Sequence, residues 1–151
     1  MTVDYLAEAL ALASRFHAGQ TDWAGRSYLE HICAVVAGAS SANGKVVAAL
    51  HDILEDTDCD VDQLQKLFPI EIVDAVVALT RTDQETYRRF IERVAENALA
   101  TEVKLSDLAH NMDLSRIPDP QQKDFDRNRK YERAKERLLR AAADREDSAS
   151  S

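Results

Sequence analysis

Apolar residues recur along this chain at three- and four-residue steps, the period of a helix with one buried face. Val3, Leu6, Leu10, Ala13 and Phe16 set that period from 3 to 16. The segment GQTDWAGRS, 19 to 27, carries two glycines and several turn formers, so the first helix should stop near His17 and a second begin around Tyr28. The second runs through HICAVVAGA to a break at SSANG, and Lys45 to Leu54 follows as an apolar stretch interrupted by His51 and Asp52. Asp60 suits the N-cap of a short helix to Phe68, and Pro69 the first turn of the next, IEIVDAVVALT. Further helices are expected over about 84 to 98, 100 to 114 and 122 to 143, with Pro118 and Pro120 separating the last two. No segment alternates with period two, so the expectation is an all-α single domain of seven or eight helices. The domain should cover 1 to 143, leaving DREDSASS, 144 to 151, as a frayed, disordered tail.

Composition agrees with one folded domain: 151 residues, 45% hydrophobic and 30% charged, with 4 Gly and 3 Pro. The longest apolar runs are far short of the ~20 residues a membrane helix needs, so no membrane partner is expected. Asp4 and Glu8 stand where a secretory signal would be basic, and Cys33 and Cys59 form no framework, which points to a cytoplasmic protein with free thiols. A net charge of −8 argues against a nucleic-acid partner, since such binding needs a basic footprint. A small polyanion can still be held where a few cations or a metal are focused. Oligomeric state is not legible.

Two helices carry charge where a core helix should be apolar. In VVAALHDILEDTD, 46 to 58, His51 and Asp52 sit mid-segment, and Glu55 and Asp56 follow each by four residues. A buried carboxylate is costly unless paired or metal-bound, so this patch is either a metal or acid-base site or a helix end emerging into water. In EVKLSDLAHNMDL, 102 to 114, Asp107 lies among apolar residues, and Lys104, Asp107 and Asn111 share one stripe. A plain Lys–Asp ion pair is the alternative there. His31 sits on a third helix that otherwise reads as core, where a hydrogen-bonded core histidine is the alternative to a ligand. Two imidazoles and two carboxylates suit Mn, Fe, Co or Zn and leave positions open for water and substrate. The run DTDCDVD lacks the central glycine and closing glutamate of a calcium loop, so calcium is rejected.

The order H…HD…D resembles the HD-domain metal-dependent phosphohydrolases. The fuller strings Phe16-His17-Ala18-Gly19-Gln20, Tyr28-x-x-His31, Ala48-Ala49-Leu50-His51-Asp52-x-x-Glu55-Asp56-Thr57 and Val103-Lys104-Leu105-x-Asp107-x-x-x-Asn111-Met112 are similar to the hydrolase domain of the Rel/Spo alarmone enzymes and the small alarmone hydrolases. The resemblance implies an HD-type helical bundle whose metal, usually Mn(II), is held by His31, His51, Asp52 and Asp107. It implies that Glu55 and Asp56 position and deprotonate the attacking water, and that Asn111 and Tyr131 touch substrate. The implied reaction, part of the stringent response, removes the 3′-diphosphate of guanosine tetra- or pentaphosphate, (p)ppGpp, as pyrophosphate. The synthetase half of the long enzymes has no room in 151 residues, so the expected enzyme only degrades.

One departure concerns the base. Where the family has basic residues after the Gln of the first loop, this chain reads Thr21-Asp22-Trp23, with Arg26 nearby. Trp23 offers a stacking face or packs the loop, and Asp22 alters which base is favoured, so the adenosine analogue (p)ppApp enters as a substrate. Tyr28, Arg26 and Lys104 complete the expected substrate-binding set. Another nucleotide or NADPH as substrate, or a non-catalytic alarmone-binding domain, are the alternatives.

Overall fold

The computed structural model describes residues 3–150, and among them the regular elements are all helices, with no strand. The helices are α1 Tyr5–Phe16, α2 Tyr28–Gly38, α3 Ala42–Leu50, α4 Ile53–Asp56, α5 Val61–Leu67, α6 Ile70–Ala78, α7 Tyr87–Ala95, α8 Ala98–Asn111 and α9 Gln122–Ser150, with a 3-10 turn at Leu114–Arg116. Most starts are fixed by side-chain caps. Asp4 accepts from the Ala7 N–H at 3.1 Å, Thr86 from Arg89 at 3.1 Å and Asn97 from Ala100 at 2.9 Å, while Asp60 and Gln63 close a reciprocal capping box.

Helix α3 lies at the centre, against α1, α2, α6 and α8, and Val46 to Leu50 are all buried. Beyond its exposed first turn it needs no polar face, because neighbours cover Val46 to Leu50 on every side. Helix α8 is the second hub, touching α2, α3, α6, α7 and α9. Two glycines let these hubs approach. A Cβ at Gly38 would collide with the Ser106 hydroxyl, which donates to Val35 O at 2.8 Å, so α2 and α8 cross closely there. At Gly44 a Cβ would strike Glu102, whose carboxylate accepts from the Ser40 and Ser41 N–H groups at 3.0 Å each.

Three elements differ from their expected form. SSANG does not lie wholly in a break, because Ser41 caps α3 through Gly44 N–H and the helix starts at Ala42. The apolar stretch through Leu54 is not continuous helix: α3 ends at Leu50, His51 caps it, and α4 restarts at Ile53 after Asp52 at φ −111°, ψ 3°. Both the His51 ring and its backbone N–H donate to Ala48 O, which ends the ladder there. Residues 144 to 150 differ from a frayed tail in continuing α9 as helix. The Arg145 guanidinium reaches Ala95 O and Thr101 Oγ1, tying that end to α7 and α8. Ser151 of the expected tail lies outside the described residues. Among the described residues no helix is long and apolar enough to cross a membrane.

Candidate metal centre

The α2–α8 crossing and the α3–α4 break bring the anomalous residues together. Ligand-capable atoms of His31, His51 and Asp52 lie within 4.8 Å of one another. Asp107 Oδ1 borders them, 3.0 Å from His31 Nε2 and 3.5 Å from His51 Nε2. His31, His51 and Asp107 are buried; Asp52 is partly open.

The tautomer of His51 is fixed by its surroundings. Nδ1 lies 2.7 Å from Ala48 O, which can only accept, so Nδ1 carries the hydrogen. In the neutral ring Nε2 is then the lone-pair nitrogen, and it is buried without a hydrogen-bond partner. It faces Asp52 Oδ2 at 2.9 Å and Asp107 Oδ1 at 3.5 Å. A proton or a metal cation at Nε2 satisfies it among these carboxylate oxygens, and this donor set of imidazole nitrogens and carboxylate oxygens fits a divalent transition metal.

Each carboxylate has its own support. Lys104 Nζ binds Asp107 Oδ2 at 2.7 Å and the Asn111 amide donates to Oδ1 at 3.0 Å. Burial works against ionising Asp107, but Lys104 and the two histidines overcome it and hold its carboxyl well below the usual range. Burial alone would discharge Lys104 too; the Asp107 carboxylate and Tyr87 beside it raise its pKa instead. Asp52 goes the other way. Burial, then the Asp107 and Asp56 carboxylates, push it well above the usual range, and the Tyr28 hydroxyl donates to its Oδ2. The two carboxylates therefore sit in opposite environments.

The remaining expected residues are distributed around this centre. Glu55 is exposed at the end of α4, where its Oε1 accepts from the Arg81 N–H at 2.7 Å. Asp56 is also exposed; partial desolvation holds its carboxyl above the usual range, with His17 and His51 opposing. Tyr131 is half-buried against Tyr87, ring centroids 6.3 Å apart. The loop residues separate. Asp22 is a strut: its carboxylate accepts from the Ala24 and Arg26 N–H groups at 2.9 and 3.1 Å and pairs with Arg116. Trp23 is 47% exposed, with the Arg127 guanidinium 4.1 Å from its ring centroid, so it is not packed into the core. Arg26 pairs with Glu30 in solvent.

Four groups next to the centre were not singled out as site residues. His110 Nδ1 meets His31 Nδ1 at 2.7 Å, and Arg116 donates to His110 O while holding Asp22, so the loop after α1 is tied through α8 to a ligand-capable histidine. His17 is buried, its Nδ1 2.8 Å from Gln20 Oε1, and Gln20 donates to Asp56 O at 3.0 Å. His17 Nε2 is buried and without a partner. His110 lies three residues after Asp107, and His17 and Gln20 stand three residues apart in the Phe16–Gln20 string; Arg116 and the Gln20–Asp56 bond depend on contacts across the fold.

No family model matches the chain. It is 30% identical over 122 residues to a probable guanosine-3′,5′-bis(diphosphate) 3′-pyrophosphohydrolase of Synechocystis, covering 71% of this chain and 16% of that protein. It is 26% identical over 122 residues to the bifunctional (p)ppGpp synthase/hydrolase SpoT of Escherichia coli K12, covering 71% of this chain and 17% of SpoT. The chain thus spans about a sixth of the length of these curated relatives. A solved structure described as a metazoan ortholog of SpoT that hydrolyses ppGpp superposes with a TM-score of 0.73 at 25% identity, covering 91% of this chain and 87% of that one. By sequence and by fold, this chain is related to the SpoT-type HD-domain alarmone hydrolases.

Proposed function

We propose that this chain is a metal-dependent phosphohydrolase that removes the 3′-diphosphate from a (p)ppGpp-type nucleotide, with guanosine or adenosine as the base. The observation that carries the reading is the buried, unpartnered Nε2 of His51 facing two carboxylates, in a fold whose relatives are named for this hydrolysis. His31, His51, Asp52 and Asp107 are the residues to hold the metal, and Mn(II) is the ion proposed. When bound, that ion supplies polarisation of a phosphoryl oxygen and a lowered pKa for water.

The chain's own residues do the rest. Lys104 and Asn111 keep Asp107 ionised and oriented, and Tyr28 orients Asp52. These three act through the ligands they hold. Asp56, with Glu55 one residue before it, takes the proton of the attacking water. That water forms a bond to phosphorus as the bond to the 3′ oxygen breaks, and the proton passes to the leaving oxygen, so pyrophosphate and a 5′-phosphorylated nucleoside result. Tyr131, and Trp23 under Arg127, offer ring faces for the sugar and base. Arg26 lies at the outer edge, where its pairing with Glu30 leaves it free to exchange partners in solvent. The setting proposed is a reducing cytoplasm, in keeping with two free cysteines.

The test is a substrate panel with metal-reconstituted protein: guanosine and adenosine 3′-diphosphates, NADPH and nucleotides phosphorylated only at the 5′ position. Pyrophosphate release from the 3′-diphosphates alone is expected. Stoichiometric metal with no turnover of any 3′-diphosphate overturns the reading, and turnover of NADPH alone replaces its substrate.

A further inference from the structure

Helices α7 and α9 pack against each other, and their seam holds a cavity of about 440 Å³. Its floor is apolar, from the buried Ile91 and Ala134, with the Tyr87 ring at one end. Its walls are basic, from Arg88 on α7 and from Lys130, Arg133 and Arg137 at i, i+3 and i+7 along one stripe of α9. None of the metal-centre residues lines it.

The charge in this seam is unbalanced. Glu92 is the sole carboxylate on the lining, and Arg137 holds it at 2.8 and 2.9 Å, so that pair cancels. Among the described residues, no carboxylate forms an ion pair with Arg88, Lys130 or Arg133. Lys130 lies 4.2 Å over the Tyr87 ring; partial burial lowers its pKa, and its charged neighbours Arg81, Lys104 and Arg127 lower it further. From Arg127 to Arg140 the sequence has seven cations against Glu132 and Glu136, in a chain whose overall charge is −8. Three cations spaced along a concave seam match several linked anionic groups better than one, and guanidinium forks pair well with phosphate oxygens. The cavity falls within the ~300–1,000 Å³ range of small-molecule sites.

We propose that the α7–α9 seam is a second anion site, separate from the metal centre, in which Arg88, Lys130 and Arg133 take the oligophosphate chain of a small molecule. The site stands independently of the hydrolase reading. Free oligophosphate and the chain of a nucleoside triphosphate offer the same chemistry, and the two arms of the experiment separate them.

Binding of inorganic tripolyphosphate and of CTP to the full, metal-loaded chain is measured by calorimetry. Loss of two charge-assisted contacts in the Arg88→Gln/Arg133→Gln protein is expected to weaken both by at least about tenfold. Lys130→Gln, an independent single change at an exposed position, should weaken them in the same direction. Hydrolysis of a 3′-diphosphate nucleotide by the Arg88→Gln/Arg133→Gln protein should stay within about twofold, and Asp52→Asn should bind tripolyphosphate as the wild type does. Tighter binding of CTP than of tripolyphosphate identifies a nucleotide as the occupant; equal binding identifies the phosphate chain alone. Unchanged binding in both basic-residue variants, or binding abolished by Asp52→Asn, overturns the proposal. A wild type without hydrolase activity defeats the proposed reaction and leaves this binding test intact.

Discussion

The metal centre and the α7–α9 seam treat charge in opposite ways. In the centre, Asp107 is matched by Lys104, Asp52 by Tyr28, and the His51 ring is anchored to Ala48 O. In the seam, Arg88, Lys130 and Arg133 stand exposed and unmatched. Burial makes the difference. An unpaired buried charge costs several kcal/mol, so the interior tolerates such groups only as a fixed set. An exposed cation is hydrated and screened, so the surface can carry it without a partner until one arrives. Charges in the centre therefore specify geometry, whereas those in the seam specify potential.

The hardest way to break the contrast is to remove a matched charge from the interior. Asp107→Ala leaves Lys104, with 14% of its side chain exposed, without its carboxylate, and should cost about 3–5 kcal/mol in chemical denaturation as well as the metal. Stoichiometric metal by elemental analysis in both Asp107→Ala and Asp52→Ala would remove these residues from the ligand set.

A smaller effect on stability, but a large one on rate, is expected from Glu55→Gln with Asp56→Asn. Both residues are exposed, so metal and fold should survive while turnover drops by about 10²-fold or more, the usual scale of general-base help. Near-normal turnover in the double variant would make the end of α4 a solvated helix terminus and place the base elsewhere.

The crossing that assembles the centre can be probed without touching a ligand. Gly38→Ala drives a Cβ into Ser106 and should separate His31 from Asp107, lowering metal affinity by about tenfold, the lower end of the effect of disturbing a ligand's support. Adding Ser106→Gly opens the space and should restore affinity. Metal titration of the two proteins decides it, and equal affinity in wild type and Gly38→Ala shows that the helices need not approach so closely.

The mildest test sharpens the rule on the surface, beside the seam. Arg93 reaches Ala78 O and Thr80 O after α6 and pairs with Glu85 at 2.8 Å. The Arg93 guanidinium, then the Thr82 N–H, hold the Glu85 carboxyl down at about 2, from an ordinary 4.5. A depressed carboxylate contributes stability that is fully present above its ordinary pKa and lost as pH falls through its folded value. The Tm difference between wild type and Glu85→Gln should therefore be constant above about pH 5 and shrink toward pH 2. A difference independent of pH would mean the pair adds nothing through its charge.

The candidate ligands were legible because titratable side chains among apolar neighbours are anomalous wherever the chain folds. His31, His51, Asp52 and Asp107 each stand out in a helical pattern that is otherwise apolar, although a solvated helix end, a Lys–Asp ion pair and a core histidine fitted the same pattern. The break between α3 and α4 was not legible, since Leu50 to Leu54 contains no glycine or proline and its apolar residues continue the helical period. The break depends on His51 donating to Ala48 O and turning Asp52 toward α2, where Tyr28 meets it. Asp22 was equally opaque. Read as a group facing a base, it is instead occupied by two N–H groups of its own loop and by Arg116, 94 residues away.

By itself the sequence determined the helical class, the cap at Asp60, and the four residues that stand out in apolar helices. Those properties follow from local periodicity, from the hydrogen bonds each start requires, and from the cost of burying charge. Only the tertiary structure decided which pairs meet: His31 with His110, Gln20 with Asp56 and Asp22 with Arg116. It also decided that α7 and α9 would leave a basic seam between them. Such pairings depend on how closely helices cross, and at Gly38 and Ser106 that distance is set by the absence of a single carbon, a feature that has meaning only once the facing helix is in place.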